Sequence, residues 1–153
     1  MLISNHVLSG LAIGLLAKKK PLAAFGLGVI SHFVLDSHPH WGVDPDREDK
    51  DEYFLKVAKR DGVVGLSIAG LGLLLAPEKL STAAAVAGAV APDLDHPLKY
   101  FTGRTLWPNG FNSFHSRIQR GRESEARLAQ EFLTAATLGA IGLGVLVAAR
   151  KKR

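Results

Sequence analysis

The sequence predicts an all-α protein, a membrane-embedded bundle of about five helices with a polar, metal-binding end. Three observations predict it. Apolar residues make up 47% of the chain, aromatics only 7%, and there are 16 glycines; small residues let helix backbones approach closely, as they do in membranes. Charge is gathered in blocks, so the mean hydropathy is only +0.13 although long stretches carry no charge. The six histidines fall near predicted helix ends instead of being scattered. At 153 residues the chain is expected to form one helical domain over residues 1–153.

The first helix is expected over 2–17, apolar throughout, with Ser4 or Asn5 as its cap and His6 in its first turn. It runs into Lys18-Lys19-Lys20 and Pro21, a basic stop of the kind that anchors an apolar helix at a membrane interface. The second helix, over about 22–37, ends in Ser31-His32-Phe33-Val34-Leu35-Asp36-Ser37-His38-Pro39-His40. His32 and Asp36 are four apart and so share one face, one turn apart. His40 lies beyond the helix, because the residue before Pro39 is pushed out of the α region. Residues 41–52 read as a solvated acidic loop; Asp44, Asp46 and Asp49 lack the glycine and closing glutamate of a calcium loop.

A third helix is expected from about Tyr53 to Ala76, apolar from Val63 onward, and a fourth from about Ser81 to Ala91, where Pro92-Asp93-Leu94-Asp95-His96-Pro97 stops it. That turn places two carboxylates and an imidazole within four residues. Residues 98–128 read as a mixed basic loop holding Arg104, His115 and Arg117, with Asn109-Gly110 as a turn. The final helix, over about 124–149, contains the longest uncharged run, Phe132 to Ala149, about the length that crosses a hydrocarbon core. It leads into Arg150-Lys151-Lys152-Arg153.

If these helices alternate up and down, every histidine and both aspartate turns meet at one end, and the lysine loop, Lys79 and the C-terminal basic block meet at the other. The expected pool of metal ligands is therefore His6, His32, Asp36, His40, Asp93, Asp95, His96 and His115. With no cysteine in the chain, thiolate ligands, disulfides and a cysteine nucleophile are excluded. Imidazole with carboxylate suits zinc, with manganese or iron as the other choices, as one ion or two. Such a centre performs hydrolysis. Asp93 or Asp95 is expected to bridge metals or to act as the base, and Arg104 and Arg117 to hold a phosphate. The +5 net charge would admit nucleic acid, but basic residues are not interleaved with aromatics along one stripe, and the acidic loop opposes a phosphate backbone.

The turn Pro92-Asp93-Leu94-Asp95-His96-Pro97, followed by His115-Ser116 and preceded by His6 on an apolar helix, resembles the membrane-bound metal-dependent hydrolases, also described as LexA-binding, inner membrane-associated hydrolases. The His115-Ser116 pair looks like that family's Thr-His-Ser motif, with Phe114 in place of Thr. Ser31 to His40 resembles the His-x-x-x-Asp elements of related small membrane hydrolases. The resemblance implies an integral, multi-pass membrane protein acting on a phosphoester or lipid-like substrate. The competing expectation is a metal-binding membrane protein without catalysis, or a subunit of a larger complex. Glycine-rich faces on the third and last helices permit contact within one chain or between copies.

Overall fold

Two helices without a charged residue until Asp36 form the middle of the protein, α1 (Ile3–Leu16) and α2 (Pro21–Ser37). Pro21 opens α2 at its first position, where a missing N–H costs nothing. The computed structural model describes residues 1–151. It continues through α3 (Lys50–Leu75), α4 (Lys79–Val90), a 3-10 turn (Ala91–Leu94), α5 (Asp95–Thr102), α6 (Asn109–Ile118) and α7 (Glu125–Lys151). No strand is present among the described residues; the only pairing of that kind is an isolated bridge between His40 and Gly121. The all-helical reading is thus borne out. Among the described residues seven α-helices replace the expected five, because the stretch read as a basic loop folds into α5 and α6. Lys152 and Arg153 of the basic C-terminal block lie outside the described residues.

Glycines set the closeness of the central packing. α1, α2 and α4 pack on one another, while α3 and α7 pack on α1 and α6 on α2. A Cβ on Gly28 would lie 2.3 Å from the Ala85 carbonyl oxygen, and one on Gly88 would lie 2.1 Å from the Phe25 carbonyl oxygen. Gly10 and Gly14 of α1 meet the α4 backbone at Val86 and Thr82 in the same way. These four contacts are backbone against backbone, and no side chain larger than hydrogen fits them. The glycine-rich faces singled out in the sequence divide: Gly65 and Gly72 touch α1, whereas Gly70, Gly139, Gly142 and Gly144 face open space.

The N-terminus of α1 is capped from another helix. Ser4 and Asn5 lie inside the helix, and Asp61 of α3 accepts from the backbone N–H groups of Ile3 and Ser4. A carboxylate beside a helix N-terminus is favoured by the dipole. This contact fixes the level of α1 against α3.

The distribution of polarity is unusual. The buried set includes Ser4, Asn5, His6, Ser9, His32, Asp36, Ser81, Thr82, His115 and Glu131, while Leu22, Leu66, Leu71, Leu74, Phe132 and Leu143 are exposed. Among the described residues, Glu125–Ala149 is the one helix long and apolar enough to cross a membrane.

Candidate metal centre

Three separate segments deliver the site. The last turns of α2 carry His32 and Asp36, the 3-10 turn after α4 carries Asp93, and α6 carries His115. The Gly28–Ala85 and Gly88–Phe25 contacts bring the end of α2 against the end of α4. Phe33 then packs edge-on against Phe111, Phe114 and the His115 ring, seating α6 over α2.

One ligand atom from each of His32, Asp36, Asp93 and His115 lies within 4.8 Å of all the others, so these residues could hold a metal ion. His32 Nε2 is 3.1 Å from Asp36 Oδ2 and 3.1 Å from His115 Nε2. His115 Nε2 is 3.0 Å from Asp36 Oδ2. Asp93 Oδ1 stands 3.7 Å from each imidazole. A tetrahedral ion with bonds of about 2.0–2.1 Å has ligand–ligand edges of about 3.3–3.4 Å, and the observed separations straddle that length.

Proton bookkeeping points the same way. His32 Nδ1 lies 2.8 Å from the Ala89 carbonyl oxygen, and a carbonyl only accepts, so Nδ1 carries the proton and Nε2 the lone pair. That lone pair faces Asp36 Oδ2, Asp93 Oδ1 and His115 Nε2. One proton on His115 Nε2 serves one of its two close acceptors and leaves the other pair facing lone pair to lone pair. Asp93 Oδ1 is buried with no hydrogen-bond partner, a state that costs free energy unless a cation is nearby. A proton added to His32 would supply one donor to three acceptors, whereas a divalent ion satisfies all four groups. The residues fit a metal ion.

His6 is fully buried and stacked on His32, with ring centroids 4.0 Å apart. Its Nε2 lies 3.2 Å from the other Asp36 oxygen, Oδ1, and neither ring nitrogen has a hydrogen-bond partner. His40 is buried, with Nδ1 2.8 Å from the Trp41 carbonyl and Nε2 3.4 Å from the Met1 amino group. That amino group is also 2.7 Å from Asp36 Oδ1. Burial, and next the Met1 ammonium, lower the His40 pKa, which keeps the ring neutral.

The other expected residues are placed differently. Asp95 is turned away from the cluster. Its carboxylate accepts from the backbone N–H groups of Leu106 and Trp107 and from Asn112 Nδ2. Burial opposes its ionisation, but these three donors hold its pKa below the ordinary range. Asp95 caps the α5–α6 connection, and it is not among the residues whose ligand atoms gather at the His32 cluster. His96 is 58% exposed and 3.9 Å from Asp93 Oδ1, at the rim. Arg104 and Arg117 are exposed; nothing in the structure brings either guanidinium to the cluster.

Two residues stand at the site without having been singled out in the sequence. Gln119 Nε2 lies 3.2 Å from His115 Nε2 and 3.5 Å from Asp36 Oδ2. Glu131 of α7, almost fully buried, accepts from the Leu2 and Trp41 backbone N–H groups and from Asn5 Nδ2. The only sequence signal for Glu131 is an acid placed immediately before the longest apolar run. No protein-family model matches the chain, and neither a curated protein nor a solved structure matches it.

Proposed function

We propose that the protein is a membrane-embedded, metal-dependent hydrolase acting on a phosphoester of a lipid-like substrate, of the kind the sequence resembles. The observation that carries the reading is the unprotonated His32 Nε2 facing two carboxylates and a second imidazole. Zinc suits the two imidazoles and the Asp36 carboxylate, with manganese or iron as the other choices. Bound there, the ion supplies Lewis-acid chemistry, acidifying water and polarising a phosphoryl oxygen.

The chain's own residues divide the work. His32, Asp36 and His115 form a tight buried trio at 3.0–3.1 Å. The Ala89 carbonyl holds the His32 ring in its metal-binding tautomer. Asp93 stands farther off and is 18% exposed. Three buried ligands with a carboxylate on the open side match a catalytic site that keeps one position free. Asp93 is the base: it takes the proton of the attacking water as the water oxygen bonds to phosphorus, and it returns that proton to the ester oxygen as the bond from that oxygen to phosphorus breaks. Gln119, at the same opening, donates to an oxygen entering beside His115.

The membrane assignment rests on polarity. Lipid replaces water as the solvent of an exposed apolar surface, and the exposed leucines of α2, α3 and α7 supply that surface while polar groups fill the interior.

One specific observation favours the second reading, a non-catalytic metal protein: if Asp93 also ligates, four protein groups close the shell. Asp93→Asn separates the two. In the hydrolase the variant keeps its metal, measured by mass spectrometry on protein purified in mild detergent without chelator or affinity tag. Its turnover of a phosphodiester probe falls at least about a hundred-fold, the range set by loss of a general base. Loss of the metal with the fold retained favours the closed site. Unchanged turnover overturns the role of Asp93.

A further inference from the structure

The geometry points to a second metal position beside the first, held by His6 and His40 with Asp36 as the bridge between the two ions. It rests on the proposed metal centre and extends it, since the four-residue cluster uses only Asp36 Oδ2. The two oxygens of this carboxylate face two different sets of groups. Oδ2 lies 3.1 Å from His32 Nε2 and 3.0 Å from His115 Nε2, whereas Oδ1 lies 3.2 Å from His6 Nε2. The His6 and His32 rings are stacked with an interplanar angle of 20°, so two parallel imidazoles each present Nε2 to its own oxygen of one carboxylate. A carboxylate that spans two cations in this way is the common element of two-metal hydrolytic centres.

Three further observations belong to the Oδ1 side alone. His6 is fully buried, its Nδ1 has no hydrogen-bond partner, and its Nε2 faces only Asp36 Oδ1. His40 donates through Nδ1 to the Trp41 carbonyl, which leaves its Nε2 as a lone pair, 3.4 Å from the Met1 amino group. Between Asp36 Oδ1 and His40 Nε2 lies a positive group, the Met1 amino group, 2.7 Å from the first and 3.4 Å from the second. A positive charge is thus already held at this point, and an ion bound there would take the place of the amino group.

The surroundings suit a positioned ligand. The His40 segment is pinned by the Gly42 N–H to the Arg122 carbonyl at 3.3 Å and the Arg122 N–H to the His40 carbonyl at 3.1 Å. Glu131 holds the Trp41 N–H at 3.1 Å and lies 3.9 Å from His40 Nδ1. His40 is therefore fixed from both sides, as outer partners fix ligand imidazoles elsewhere.

The test counts ions and asks whether they are coupled. Detergent-purified protein, untagged and reconstituted with zinc, is expected to hold two ions per chain. His6→Gln and His40→Gln are each expected to hold one, with unchanged helical circular dichroism. Reconstitution of the native chain with manganese is expected to give the electron paramagnetic resonance spectrum of an exchange-coupled pair, which needs no variant to fold. One ion per chain in the native protein, with an uncoupled manganese spectrum, overturns the second position and leaves the first standing. No ion in the native protein overturns the proposed metal centre and the second position with it.

Discussion

Asp95 shows how a single residue is decided by its neighbours. In the sequence it is indistinguishable from Asp93: both lie in one turn, two positions apart, beside a histidine. In the structure the carboxylates point to different tasks, because the α5–α6 connection brings the Leu106 and Trp107 N–H groups and Asn112 onto Asp95. Asp95→Ala is therefore expected to lower the melting temperature while the metal content stays at the native value, both measured on the same detergent preparation. Loss of metal with an unchanged melting temperature would return Asp95 to the ligand set. The remaining ligands were more legible. His32 and Asp36 are read from i, i+4 spacing alone, His6 and Asp93 from the helix ends on which they fall, and His115 from a loop that alternating helices leave on the same side. Gln119 and Glu131 were not legible, since an amide and a carboxylate flanking apolar or basic stretches carry no spacing of their own. Only the packing of α6 and α7 shows what they face.

At the scale of the elements, the site depends on how closely α2 and α4 approach, and that approach depends on two glycines. A methyl group at Gly28 meets backbone atoms of Ala85, Gly88 and Ala89, and backbone cannot rotate away as a side chain can. Gly28→Ala is expected to force α2 outward and to cost about 1–3 kcal/mol, the range for overpacking a filled contact. The same shift moves His32 Nδ1 from the Ala89 carbonyl, so metal affinity falls by about 10–100-fold, as for other losses of an outer partner. Gly62→Ala is the control: nothing lies within 4 Å of its Cβ position on α3, and removing a helical glycine there is expected to leave stability equal or raise it by up to about 1 kcal/mol. Chemical denaturation and metal titration of both variants measure this; equal behaviour of the two would sink the argument. The sequence shows that glycines are abundant, and its apolar runs locate α1, α2, α4 and α7 closely. It does not show which glycines touch, because that depends on the crossing of helices distant in sequence. α5 and α6 escaped for a related reason: they are short, rich in polar residues, and held by long-range contacts such as Trp107 Nε1 to the Ala91 carbonyl at 3.2 Å.

For the molecule as a whole, the proposed membrane reading depends on where the His32 cluster lies along the exposed apolar surface. The Val63–Leu75 half of α3 rises about 20 Å at ~1.5 Å per residue. It starts beside Asp61, which is level with the first turn of α1 because it caps Ile3 and Ser4. His6 and Glu131 stand at that same level, joined through Asn5. The His32 cluster is therefore level with the start of this apolar half, and a hydrocarbon core of about 30 Å is longer than the stretch from there to the far end of α3. On the proposed membrane reading, the cluster meets lipid phosphoester bonds only if its own end of the bundle lies at a headgroup boundary. The chain contains two tryptophans, and both report on this end: Trp41 donates its N–H to Glu131, and Trp107 to Asp95. In vesicles, their fluorescence is expected to be quenched more by lipids brominated near the headgroup than by lipids brominated near the chain end. Stronger quenching from the chain end would place the site in mid-bilayer, away from phosphoester bonds, and would count against the proposed substrate. Absence of quenching by either lipid, with the protein removed from membranes by carbonate, would overturn the membrane assignment itself. The exposed leucines of α2, α3 and α7 would then need a protein partner to cover them.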